Sequence, residues 1–117
     1  MTREEFRNYC LGKKGAVEDF PFDAGTVVFK ISGKIFALAD AAAFTRISLK
    51  CDPDKAIELR NRYPAVIPGY HLNKRLWNTI VLDGSIPDSV IRSLIDHSYE
   101  RVYSGLNRAE KQNVADW

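Results

Sequence analysis

At 117 residues, with 45% hydrophobic and 27% charged side chains, the chain has material for one globular core, which excludes a second domain and a disordered polymer. Its 17 Lys/Arg against 15 Asp/Glu leave a formal net charge of +2, too small to mark a nucleic-acid partner unless the charges are gathered on one surface. The longest apolar run, residues 35–44, is interrupted by Asp40 and is far too short to span a bilayer, so no membrane partner is expected.

Thr2 followed by Glu5 forms a capping box, with Phe6, Tyr9 and Cys10 at helical spacing behind it and Gly12 as a stop. This predicts a first helix over residues 2–11. Residues 16–20 read as a short edge strand, followed by a loop punctuated by Pro21 and Gly25. Two apolar runs, residues 27–31 and 34–38, flank Ser32-Gly33, which is a hairpin signal. A two-residue turn there sets Phe29 opposite Phe36 and Val27 opposite Leu38 on a shared core face, with Val28, Lys30, Ile35 and Ala37 on the other.

Residues 44–51 alternate cleanly, Ile47, Leu49 and Cys51 against Arg46, Ser48 and Lys50, as a strand with one apolar and one basic-polar face does. Asp52-Pro53 starts a helix that must stop before Pro64. Residues 64–73 hold too much Pro and Gly to be regular throughout, and residues 77–83 read as a strand. Ser85 and Asp88 make a box-like start, with Pro87 in the first turn. Ile86, Val90, Ile91, Leu94, Ile95, Tyr99 and Val102 then mark an amphipathic helix closed by Gly105. Residues 106–117 are a polar C-terminal tail, expected to fray or to form a loose last turn.

Hairpins with helices at the ends predict a single two-layer α+β domain over residues 1–117, an antiparallel sheet with its helices packed on one face. The other sheet face stays open to solvent or to a partner. Cys10 and Cys51 read as free thiols in a reducing cytoplasm, and residues 1–5 lack the apolar stretch of a secretory signal.

Two groups of side chains carry chemistry. The segment 70–78 packs Tyr70, His71, Asn73, Lys74, Arg75, Trp77 and Asn78 into nine residues. Cations interleaved with aromatics and amides contact phosphates, stack on bases and hydrogen-bond their edges. The same residues also serve a scaffold, with Tyr70 and Trp77 anchoring the loop and His71 and Asn73 satisfying backbone groups. The second group is the polar strand face, Lys30, Arg46, Ser48 and Lys50, with Lys34 at the hairpin tip. A basic sheet face follows a nucleic-acid backbone, or simply presents its charges to water.

Catalytic and metal chemistry find little support. Cys51 lies on the apolar side of its strand, away from a role as nucleophile beside His71. Two histidines and two cysteines without ligand spacing do not make a zinc site, and Gly12 and Gly15 beside Lys13 and Lys14 do not make a phosphate loop. No cofactor is expected.

Three stretches resemble the MmcQ/YjbR family: Ser48-Leu49-Lys50-Cys51-Asp52-Pro53, Pro68-Gly69-Tyr70-His71-Leu72-Asn73-Lys74, and Trp77-Asn78-Thr79 leading into Leu82-Asp83-Gly84-Ser85, with Asp96-His97-Ser98-Tyr99 in addition. The resemblance runs from Glu18 to Tyr103. It implies a fold related to the bacterial frataxin CyaY, an antiparallel sheet backed by helices, and DNA binding as the activity. Leu76 stands where members often carry a second histidine before the tryptophan, which argues against a paired-histidine site. Leu72 replaces a common methionine. Iron binding does not carry over, because the chain has no acidic run longer than a pair, at Glu4-Glu5 and Glu18-Asp19.

The expected function is therefore that of a cytoplasmic, non-catalytic and monomeric DNA-binding protein. It would use Lys30, Arg46, Lys50, Tyr70, His71, Asn73, Lys74, Arg75, Trp77 and Asn78. The alternative is an interaction domain that takes a protein or small ligand on the same surface, marked by a concave apolar pocket near His71.

Overall fold

Period-two alternation in the central segments yields strands with one apolar face each, and burying those faces together under helices generates the fold. A computed structural model describes residues Met1–Trp117. The elements in chain order are α1 (Arg3–Leu11), β1 (Val17–Asp19), β2 (Thr26–Ile31), β3 (Lys34–Asp40), β4 (Arg46–Lys50), α2 (Pro53–Arg62), β5 (Val66–Pro68), β6 (Trp77–Val81), α3 (Asp88–Ser104) and α4 (Arg108–Ala115). The strands form one antiparallel sheet in the order β1-β2-β3-β4-β6-β5. The architecture is α+β, as expected. Phe6 of α1 meets Phe29 of β2 edge-on, α3 lies across β3 and β4, and α2 packs on β5 and β6. No helix is long and apolar enough to cross a membrane.

The caps act as their residue types require. Thr2 and Glu5 close a reciprocal capping box on α1, and the Asp52 carboxylate accepts the Asp54 and Lys55 N–H groups ahead of Pro53. The α3 start differs from expectation. Ser85 donates its hydroxyl to Asp83, the N-cap position is Pro87, and no side chain caps the helix; the terminal ammonium of Met1 pairs with Asp88 there instead. Within the expected tail, residues 108–115 form α4. Asn107 and Glu110 cap it reciprocally, and Leu106 and Val114 are buried.

The β2–β3 hairpin turns on Ser32 and Gly33, both at positive φ (45° and 77°), as a two-residue turn demands. Ile31 pairs with Lys34 and Lys30 with Ile35. Beyond that point the expected register is corrected: Phe29 pairs with Ala37, Val28 with Leu38 and Val27 with Ala39. Phe36 is an extra residue, a β-bulge, and one inserted residue exchanges the faces of everything after it. Ala37 and Ala39 therefore join the core, and Leu38 shares Val28's face. Phe36 remains fully buried, its ring edge-on to Tyr99 of α3 at 5.4 Å.

A bulged residue leaves backbone groups without ladder partners, and one turn of α3 supplies them. Ser98, fully buried, donates its hydroxyl to the Phe36 carbonyl at 2.5 Å and accepts the Lys50 N–H at 2.8 Å. Its neighbours extend the attachment. His97 Nε2 accepts the Asp52 N–H at 3.1 Å, Asp96 accepts from the Tyr9 hydroxyl and the Lys13 ammonium, and the Tyr99 hydroxyl donates to the Lys14 carbonyl. The Asp96-His97-Ser98-Tyr99 motif thus fastens α3 to the sheet, to α1 and to the start of α2.

Candidate nucleic-acid interface

Because the helices occupy one side of the sheet, the outward residues of β2, β3, β4 and β6 form an uncovered face. Arg46, Ser48 and Lys50 alternate outward along β4, and Trp77 stands directly opposite Lys50 on β6. At one end of this face the 20–25 and 69–72 loops rise on either side and enclose a cleft of about 340 Å³. Phe22, Tyr70, His71 and Leu72 wall it, with Thr26, Leu38, Asp40, Arg46 and Ser48 from the strands.

The loop that bears Tyr70 and His71 is held by its own polar groups. Gly69 donates to the Trp77 carbonyl at 2.9 Å and packs so closely that a Cβ would lie 2.8 Å from Trp77 Cβ. Thr79, fully buried beneath the loop, accepts the Tyr70 N–H at 2.9 Å and shares a 2.8 Å hydrogen bond with Ser48. Asn73 Oδ1 accepts the Arg75 and Leu76 N–H groups. Lys74 Nζ donates to the Gly69 carbonyl, and Arg60 of α2 donates to the Lys74 carbonyl. His71 adopts a left-handed backbone (φ 56°), with its ring centroid 4.1 Å from that of Tyr70.

The expected site residues therefore divide. Arg46, Tyr70 and His71 come together: the Arg46 guanidinium lies 4.5 Å from the Tyr70 ring centroid and takes part in none of the ion pairs within 4.0 Å. Lys50 lies farther along the same face, while Arg75 is exposed at the loop; neither side chain has a hydrogen-bonded partner. Lys30 is on the face but is paired with Asp19 at 2.7 Å. Asn73 and Lys74 bind their own loop. Trp77 is half-buried against Gly69. Asn78 is not on this face: it is buried on the helix side, donating to the Ala56 carbonyl at 3.2 Å.

Phe22, Thr26, Asp40 and Thr79 belong to the site although sequence reasoning did not single them out. Asp40 and Thr26 become neighbours of Arg46 only once the bulge at Phe36 is counted. Phe22 sits in an irregular loop, where no period marks it.

Cys51 and His71 do not meet. Cys51 is buried near His97 and the aliphatic side chains of Leu49, Leu59 and Leu94, and burial pushes its thiol above the ordinary value. That environment keeps it protonated and unreactive. Cys10, completely buried, is raised further by the same cause.

Comparisons with known proteins agree with this architecture. The YjbR family profile matches residues 11–101. The uncharacterized protein YjbR of Escherichia coli strain K12 is 35% identical over 113 residues, covering 96% of each chain. The crystal structure of Deinococcus radiodurans protein DR2400, a DUF419 domain, superposes with a TM-score of 0.88 at 37% identity, covering 97% of this chain and 88% of that one. A crystal structure from Pseudomonas syringae superposes at 0.75 with 31% identity, covering 87% and 99%. The chain belongs to the YjbR family.

Proposed function

We propose that this chain is a non-catalytic DNA-binding protein whose open sheet face receives the polynucleotide. The observation that carries the proposal is the Arg46–Tyr70 stack: a guanidinium without a carboxylate partner lies over an exposed ring on a face no helix covers. Such a pair offers a phosphate contact and a stacking platform side by side. Lys50 extends the positive charge along the same face, and Arg75 adds an exposed cation in the loop that leads into β6. With three free cations in place of the five expected from the sequence, binding is weak and strongly salt-dependent.

Fluorescence anisotropy against labelled duplex DNA, single-stranded DNA and RNA over a salt series tests this. Three phosphate contacts give a log affinity that falls against log salt with a slope of roughly −2 to −3. An Arg46→Ala/Lys50→Ala variant should flatten that slope by about 2. No binding to DNA at low salt, or tighter binding to RNA, would overturn the proposal.

The second reading is a small-ligand site without nucleic acid, and the cleft beside His71 favours it. Its apolar walls are Phe22, Leu38, Tyr70 and Leu72. A ligand held there by shape would bind with little dependence on salt.

A further inference from the structure

We infer that the cleft between the 20–25 and 69–72 loops seats one unpaired base of a DNA strand, preferring a base with an exocyclic amino group. The inference rests on the DNA-binding proposal and narrows its ligand. Three observations lead to it.

The first is size. A cleft of about 340 Å³ lies at the low end of the range of small-molecule sites, which start near 300 Å³. A single nucleoside unit is the part of DNA that enters such a space; a base pair, with both partners stacked in a duplex, is too large.

The second is the arrangement of aromatic surface. Tyr70 is 54% exposed and Phe22 65% exposed, on the two loops that border the cleft. Tyr70 does not hang free: its N–H is tied to buried Thr79, and its ring, in a residue still 54% exposed, touches Arg46 at 4.5 Å and His71 at 4.1 Å. A ring held in this way presents a ready stacking surface, and every base has a π-face to lay on it.

The third is polar capacity left over. Asp40 Oδ2 accepts the Thr45 hydroxyl, while Oδ1 has no partner, and the Thr26 hydroxyl makes no hydrogen bond. A carboxylate repels phosphate, so its place in a polynucleotide site is opposite a donor. The exocyclic amino groups of cytosine, adenine and guanine are such donors, and thymine has no amino group, only its ring N–H. Arg46 at the rim then meets the adjoining phosphate. A base already outside the stack enters at least cost.

The test uses the full chain and four labelled duplexes of one sequence: fully paired, with a single bulged cytosine, with a bulged thymine, and with a bulged abasic site. The bulged-cytosine duplex should bind about tenfold tighter than the paired and abasic duplexes, and severalfold tighter than the thymine bulge. Tyr70→Ala, at an exposed position, should abolish the bulge preference, lowering affinity for the bulged-cytosine duplex about tenfold more than for the paired one. Asp40→Asn should narrow the gap between cytosine and thymine. A fluorescent cytosine analogue placed at the bulge reads base insertion directly, through quenching on binding. Equal binding of all four duplexes with a linear salt dependence, or an unquenched analogue, would overturn the base seat and leave DNA binding standing. Absence of binding to every duplex would overturn both.

Discussion

Replacing Ser98 with alanine removes one oxygen atom and should cost far more stability than its size suggests. Its hydroxyl donates to the carbonyl of the bulged Phe36 and accepts the Lys50 N–H, so the variant strands a buried acceptor on β3 and a donor on β4. Each buried group left unsatisfied costs about 1–3 kcal/mol, and the vacated space is too small and too deeply buried for water to substitute well. The expected destabilisation is about 2–4 kcal/mol. For a domain of this size that corresponds to roughly 6–20 °C in Tm. Urea denaturation followed by tryptophan fluorescence should show a lower midpoint with an unchanged m-value, the pattern of altered stability without altered compactness. A loss below about 0.5 kcal/mol would refute the reasoning, since it would mean that the bulge satisfies its backbone groups without α3.

His97 accepts the Asp52 N–H through Nε2, which requires the neutral imidazole. Burial, then the charges of Lys55 and Arg101, lower its pKa against the opposing pull of Asp52 and Glu100. The unfolded chain thus binds a proton near pH 6.5 that the folded chain refuses, so the stabilisation is complete above about 6.5 and is lost as pH falls through the folded pKa. The urea midpoint should drop between about pH 7 and 5 and flatten in His97→Gln; equal slopes for both proteins would contradict this. Gly69→Ala places a Cβ 2.8 Å from Trp77 Cβ and 3.0 Å from the Trp77 carbonyl oxygen, so the loop must shift. We expect a loss of roughly 1–3 kcal/mol in thermal unfolding and weaker DNA binding, and an unchanged Tm would show the loop to be loose. Lys30→Ala, at a cation already paired with Asp19, should leave the salt slope of DNA binding intact, whereas Arg46→Ala reduces it by about 1. Equal effects of the two substitutions would remove the distinction between paired and free cations on this face.

Local signals in the sequence marked most elements because most elements are locally determined. Thr2-Glu5, Asp52-Pro53 and Ser32-Gly33 each fix a start or a turn with groups a few residues apart, and all three appear where expected. The bulge at Phe36 was not legible, since nothing in 34–38 distinguishes an inserted residue from a regular one; the hydroxyl that satisfies its carbonyl lies 62 residues away, at Ser98. Asn107-Glu110 is as clear a capping box as the first. The polar composition around it masked the helix, which is anchored by Leu106, by Val114 and by the Ser32 hydroxyl donating to the Glu110 carbonyl. For the site, alternation placed Arg46 and Lys50 outward correctly. It could not show that Lys30 is neutralised by Asp19, that Lys74 serves its own loop, or that Asn78 faces the opposite way from Trp77 and into the core. Those outcomes depend on partners brought together only by the fold.

The two outer strands, β1 and β5, are three residues long, and β5 ends in Pro68, which has no N–H to give. An incoming backbone therefore finds too few groups on either margin to add itself as a seventh strand, which also guards the molecule against edge-to-edge polymerisation. Recognition is thereby confined to side chains projecting from the middle of the sheet. The strand ladder is held by backbone groups and the helices pack on the opposite face, so neither is built from these outward side chains. Exchange of Arg46, Tyr70 or Asp40 would retune the ligand while the scaffold stayed as it is, so members of one fold family need not share one partner.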